Sequence, residues 1–309
     1  MKAKRRGSSL KYMSWNDRVF VSLNTLLLVF FFLITLYPMI YVVSASFSDP
    51  DAVSSGRMVL WPVRASLQAY KYVFSYKEIW VGYANTLFYT VVGTFLNLAV
   101  TMPCAYALSR RDLVGRGFFM TLFMIVMYFG GGLIPAYLNI RDLGLVDTRA
   151  FLLISGLVST YNLIVARTYF TNSIPWELHE AAFMDGGSDM GAFFKIVLPL
   201  SKPISIVLML YYGVEHWNSY FQAMIYIRTR SKFPLQVFLR EILTLGQFTA
   251  TEDGSFMSAE EMAEMAQMAD TANMIKFAVI VVATLPMMIL YPMVQKYFEK
   301  GAMVGSVKG

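Results

Sequence analysis

The residues of this chain that could do chemistry are few, and their spacing completes no catalytic set. The two histidines, His179 and His216, fall on different segments. His179-Glu180 opens like a zinc-protease helix, but Phe183 stands where the second imidazole ligand is needed. Gly186-Gly187-Ser188 lacks the glycine that would close a nucleophile elbow. No Gly-x4-Gly-Lys-Ser/Thr stretch occurs, so the chain has no phosphate loop for ATP. The single cysteine, Cys104, cannot form an internal disulfide and reads as a small buried hydrophobe. Residues 247–272 hold six acids and no Lys or Arg, without the alternation of a calcium loop. These patterns leave neither a catalytic residue nor a resident metal.

Polar residues inside an apolar run are the better lead. At about 100° per residue, Tyr211, Glu215, Asn218 and Gln222 share one narrow stripe of a helix, flanked by His216 and Tyr220. Such a seam should face the interior of a helical bundle, and an ionisable group within a membrane is by default a functional candidate. Hydroxyls and amides suit sugar hydroxyls, and the face of Trp217 suits a sugar ring. The alternative is that these groups bond helix to helix with a partner subunit. Asn97 and Asn162 are further mid-segment polar residues, while Arg167 and Lys276 lie where long side chains snorkel to an interface.

The elements that must carry this stripe are membrane helices. Of 309 residues, 57% are hydrophobic, 16% aromatic and 15% charged; soluble domains carry about 25% charged residues. That excludes a secreted disulfide scaffold, a disordered tail protein and an ordinary cytosolic enzyme. Six segments reach the roughly 20 apolar residues that a spanning helix needs: 19–43, 84–108, 118–138, 150–170, 204–225 and 274–295. They are too long, and alternate too little, for barrel strands. The expected fold is an all-α integral membrane bundle of six transmembrane helices.

Orientation follows from the basic residues. With the N-terminus inside, the inner segments hold 14 Lys/Arg in 74 residues and the outer ones 10 in 99. The bias is strongest before the first span, at Lys2, Lys4, Arg5, Arg6, Lys11 and Arg18, so both termini are placed in the cytoplasm. The formal charge of +6 therefore reads as orientation and not as a nucleic-acid surface. Val43-Ser44-Ala45 resembles a cleavage site, but the apolar stretch before it exceeds a signal core, which favours an uncleaved span. Gly130-Gly131-Gly132 and Pro135 should loosen the outer end of the third helix, either as a kink or beside a cavity. Residues 234–243 read as an amphipathic helix near the outer surface. Ser258 and Glu261 form a capping box ahead of a Met262, Met265, Met268 stripe. The layout is an N-tail (1–18), a first helix with its outer loop (19–79), a transmembrane core (80–300) and a C-tail (301–309).

The inner loop 173–203 has an unusual grammar. Ser173 can cap a helix whose first turn contains Pro175, and Glu177 and Glu180 favour its positive end. Ala181 and Ala182 keep one face thin, Gly186-Gly187 end the helix, and Ser188 can cap a second one ending before Pro199. The product is a small-faced helix–turn–helix knob, suited to another protein's groove.

Glu180-Ala181-Ala182, then Gly186, then Ile196, Leu198 and Pro199 match the signature loop of bacterial ABC importer permeases at every position. The chain resembles that family over about residues 80–309. Trp217-Asn218 and the tail 300–309 look like the MalG-type carbohydrate permeases. The Gly130–Pro135 run and residues 166–170 are closer still to the YtcP-like group for complex oligosaccharides. The resemblance implies the type I importer permease fold. It also implies a MalF-like second permease, separate ABC ATPase subunits that hold ATP and Mg, and an extracytoplasmic solute-binding protein, in a bacterial cytoplasmic membrane. Glu180, Ala181, Ala182, Asp185, Gly186, Ile196, Leu198 and Pro199 would form the ATPase-coupling contact, and the long acidic outer loop would reach the binding protein. An oligosaccharide, with uronates as one option, would be carried. A permease for peptides or amino acids, and an ion-coupled transporter or channel using Glu215, remain the alternatives.

Overall fold

In a computed structural model, residues 14–245, 271–290 and 292 are described; they are helical, with no strand among them. Residues 1–13 of the N-tail, residues 246–270 with the capping box and methionine stripe, and the C-tail fall outside the described residues. Helix α1 spans Trp15–Ser46, starting where the Ser14 side chain accepts from the amide of Asp17. Its apolar surface is exposed to its surroundings along its whole spanning stretch, as a lipid-facing or partner-facing helix requires. Short helices α2 (Pro50–Ser54) and α3 (Gln68–Ser75) then hook over its C-terminal end, where Ser66 N–H donates to Phe47 C=O at 2.8 Å.

The axis of the molecule is α4, Lys77–Ser109, against which most other elements pack. Its path is sequence-determined: an apolar run carries Gly, Ala, Thr and Asn on the faces that meet neighbours, the small-residue pattern by which membrane helices approach closely. At Gly93 an added Cβ would sit 2.4 Å from the His216 ring. Only glycine fits there.

Three expected spans are broken. The third is α5 (Arg116–Tyr128) and α6 (Leu133–Asp142), bent by 114° across Phe129–Gly132. The glycines supply the break, with Gly132 at φ +86°, and Pro135 sits in the first turn beyond it. The fourth, expected as one helix over 150–170, divides into α7 (Arg149–Ile154) and α8 (Thr160–Ser173). The intervening turn passes through Gly156 at φ +72°. Its carbonyls are satisfied by another helix, which is why a break survives at that depth.

Beyond α8 come α9 (Glu177–Met184), α10 (Asp189–Ala192), a π-helical turn (Phe193–Val197) and α11 (Leu198–Leu200). An 82° bend at Ser201 leads into α12 (Lys202–Trp217). The fifth span ends early. A break at Asn218–Tyr220 separates α12 from α13 (Phe221–Tyr226). A 3-10 turn (Arg230–Lys232) and the amphipathic helix α14 (Leu235–Leu245) follow, the latter burying Leu235, Val237 and Phe238 as its sequence pattern predicts. Helix α15 occupies Thr271–Leu290. Three described helices (α1, α4, α15) are long and apolar enough to cross a membrane, or five if each bent pair counts as one span.

One residue of the turn before α7 carried no sequence signal. Asp147, at φ +57°, accepts from the amides of Arg228 (3.1 Å) and Thr229 (3.0 Å) and from the Thr229 hydroxyl, and lies 3.3 Å from Lys232. These donors, the Thr229 hydroxyl and amide foremost, hold its carboxyl far below the usual carboxylate range.

Candidate functional site: coupling loop and membrane cavity

The inner loop forms the expected knob with different joints. Ser173 is the last residue of α8 and not the cap of α9, whose start at Trp176 has no side-chain cap. At the far end of α9 the amide of Gly186 donates to Phe183 C=O at 2.9 Å and that of Gly187 to Ala182 C=O at 2.8 Å. Gly186, at φ +73°, closes the helix in the left-handed conformation that glycine adopts most readily. Ser188 caps α10, accepting from the Gly191 amide at 3.1 Å. The second helix does not end before Pro199. It passes through the π turn and resumes, with Pro199 in the first turn of α11.

Side chains divide into an outward and an inward set. Glu180, Ala181, Phe183, Met184 and Asp185 face out, with Met184 88% exposed, and Gly186 and Pro199 are exposed on the same loop. Ala182 is buried, and Ile196 and Leu198 are half-buried, so they support the knob instead of forming its contact face. His179 is buried between the rings of Trp176 (5.1 Å) and Tyr106 (5.5 Å). Burial, then the adjacent Arg110 charge, pushes its pKa below the ordinary histidine value. The knob thus presents apolar and acidic groups outward from a stacked aromatic base.

Across the membrane core lies a cavity of about 260 Å³. Glu215, Asn218 and Gln222 line it from α12, α13 and the break between them; Ser155 and Gly156 line it from the α7–α8 turn, and Asn97 from α4. Gln222 Oε1 accepts from the Ser155 hydroxyl at 2.9 Å. Asn97 ties the walls together. Its amide donates to Gly156 C=O (3.0 Å) and Leu157 C=O (2.9 Å), and its oxygen lies 2.7 Å from His216 Nε2. Tyr212 accepts from the Ser159 amide (3.1 Å) and pairs with Thr101 (2.8 Å).

The sequence stripe is therefore only partly reunited. Glu215, Asn218 and Gln222 converge on the cavity, although a helix break and not one continuous helix brings them there. Tyr211 lies outside the lining and faces Tyr161, with centroids 6.5 Å apart. Trp217 points the other way: it is buried, its indole N–H donates to Ala283 C=O of α15 at 3.0 Å, and Tyr83 packs on its ring. It braces helices and offers no face to a sugar. Arg167 is half-buried, and its Nε donates to Leu108 C=O at 3.0 Å, satisfying the end of α4. Tyr212 and Ser155 were missed, because a hydroxyl in an apolar run carries no facing information until the break at Gly156 is known.

A helical membrane chain with a helix–turn–helix knob at one end and a polar, helix-lined cavity defines a transport permease. No family model matches the chain. It is 41% identical, over 95% of its length and 99% of the relative's, to the polygalacturonan/rhamnogalacturonan transport system permease protein YtcP of Bacillus subtilis. With protein LplC of the same organism it shares 39% identity, covering 94% of this chain and 96% of that one. A crystal structure of a bacterial ABC transporter involved in the import of the acidic polysaccharide alginate aligns at TM-score 0.81 and 38% identity, over 93% of this chain and 99% of that chain. The protein belongs to the sugar permeases of ABC transport systems.

Proposed function

We propose that this chain is one permease subunit of an ATP-driven importer for acidic oligosaccharides, placed in a bacterial cytoplasmic membrane with six passes and both termini inside. A second, MalF-like permease completes the pore. Separate ATPase subunits hold ATP and Mg, and an extracytoplasmic binding protein delivers the sugar. The observation that carries this reading is the knob: an exposed Phe183–Met184 face beside a fixed Gly186 corner suits a cleft in an ATPase. ATP-driven closure of the ATPase pair would pull both coupling loops, turn the permeases outward, and open the cavity to the binding protein. Hydrolysis would reset the pair. Relatives named for polygalacturonan and for alginate support an acidic sugar. Hydroxyl and amide groups at Ser155, Asn218 and Gln222 suit its hydroxyls.

Co-purification tests the proposal. A chain tagged at the N-terminus and extracted gently should bring an ATPase and a second permease. Gly186→Pro cannot adopt a positive φ, so it should insert normally and lose the ATPase. A solitary wild-type chain whose transport persists without ATP but needs an ion gradient would instead favour an ion-coupled transporter using Glu215.

A further inference from the structure

Arg110 lies behind the contact face and outside the cavity, and it joins both short helices of the knob. It closes the inner end of α4 and is 9% exposed. Its Nε donates to Asp112 Oδ1 at 2.8 Å, and its terminal nitrogens bond to Asp112 and to Asp189 in the first turn of α10. The guanidinium carbon lies 5.3 Å from the Phe183 ring, 5.8 Å from Trp176 and 6.0 Å from Tyr106. One planar group therefore holds α9 through aromatic faces and α10 through a carboxylate. Only a planar cation with a fixed fork does both.

The chain's connectivity gives this contact its meaning. Helices α8 and α12 are covalent continuations of the loop, so displacement of the knob pulls on both. Helix α4 has no such link; it precedes the loop by more than sixty residues in the sequence. Yet α4 supplies Asn97, thirteen residues and roughly 20 Å along the helix from Arg110, and Asn97 bonds the α7–α8 turn and His216 of α12 together. If α4 lagged behind the knob, those bonds would shear. We infer that Arg110 is the clamp that makes α4 move with the coupling loop, so that α4, α8 and α12 shift the cavity walls as one body. Arg110 is a positioning residue, acting through Asp189 and the aromatic base of α9.

The inference rests on the coupling reading above, and its test separates the two. The assembled transporter, with Cys104→Ser and a single reporter Ser155→Cys in the cavity, is reconstituted with its binding protein. Labelling by an impermeant maleimide is compared before and after ATP–vanadate trapping. ATP hydrolysis and ATPase co-purification are measured in parallel. In Arg110→Met the ATPase should stay bound and hydrolyse ATP. The ATP-dependent change in labelling should shrink roughly tenfold or more, as expected for losing charge-assisted hydrogen bonds. Arg110→Lys, which keeps the charge without the fork, should fall between. Asp189→Asn removes the α10 contact alone and provides the same test if Arg110→Met fails to fold. Labelling that still switches as in the wild type would overturn the inference, and so would loss of hydrolysis and ATPase binding together with the switch, since Arg110 would then only shape the knob. A wild-type chain that recruits no ATPase would sink the coupling reading itself.

Discussion

Single residues decide whether the cavity works. Glu215 and Asn218 are exposed at its wall, and among the described residues the Asn218 side chain bonds only to Val214 C=O one turn back. Glu215→Leu or Asn218→Leu should therefore abolish uptake in a transport assay while the complex still purifies intact; loss of assembly would reassign them to helix pairing. Gly93 works by absence. A methyl there meets the His216 ring at 2.4 Å, so Gly93→Ala must displace the imidazole and break its bond to Asn97. Overpacking of this kind destabilises by about 1–3 kcal/mol, and a lowered thermal midpoint with weakened uptake is the expected pair of readings. Trp217 should behave differently from Glu215: Trp217→Phe loses the bond to Ala283 and lowers stability without changing substrate preference.

At the scale of elements, α9 is held by a ring stack whose centre titrates. His179 has a pKa pushed down by burial first and by the Arg110 charge second, with the hydrogen bond to the Pro175 backbone, then Asp112 and Asp189, partly offsetting it. An unfolded or detached loop binds a proton near the ordinary value of about 6.5, while the packed one resists it. The packed state thus has its full advantage above that value, and loses it progressively as pH falls toward the depressed pKa. Protection factors across residues 177–187, each corrected for the intrinsic exchange rate at its pH, should fall on acidification below neutrality, and His179→Phe should remove the dependence. Unchanged protection factors between pH 7.5 and 5.5 would mean that the imidazole is already free to protonate.

Among the described residues, the organising fact is one long central helix, α4, with the three broken spans packed around it. Helix α4 is the most buried of the long apolar helices, at 44% of its spanning stretch against 22% for α15 and none for α1. The least buried, α1, must find lipid or a partner subunit. Topology is directly measurable: on a Cys104→Ser background, Met184→Cys should react with an impermeant maleimide only from the cytoplasmic side and Asp142→Cys only from outside. Both residues are exposed in this chain, and Met184→Cys is probed with the ATPase stripped from the membrane, since the proposed cleft would cover it.

Composition and spacing alone determined that the chain is helical with several long apolar segments, that a helix turns at Gly186 in the 173–203 loop, and where the amphipathic helix α14 runs. Those features are local: apolar length, capping chemistry and the left-handed turn at Gly186 need no distant partner. Tertiary structure decided the rest. Whether a run of apolar residues stays one helix depends on who satisfies the freed carbonyls, and Asn97, fifty-nine residues away in the sequence, does so at Gly156. That break, together with the one at Asn218, turns a helical stripe into a cavity wall, brings in Tyr212 and Ser155, and sends Trp217 to α15. The Arg110 clamp was hidden for the same reason. Its partners Asp189 and Trp176 are near only after α4 and the loop have packed, and sequence spacing carries no record of contacts between separate helices.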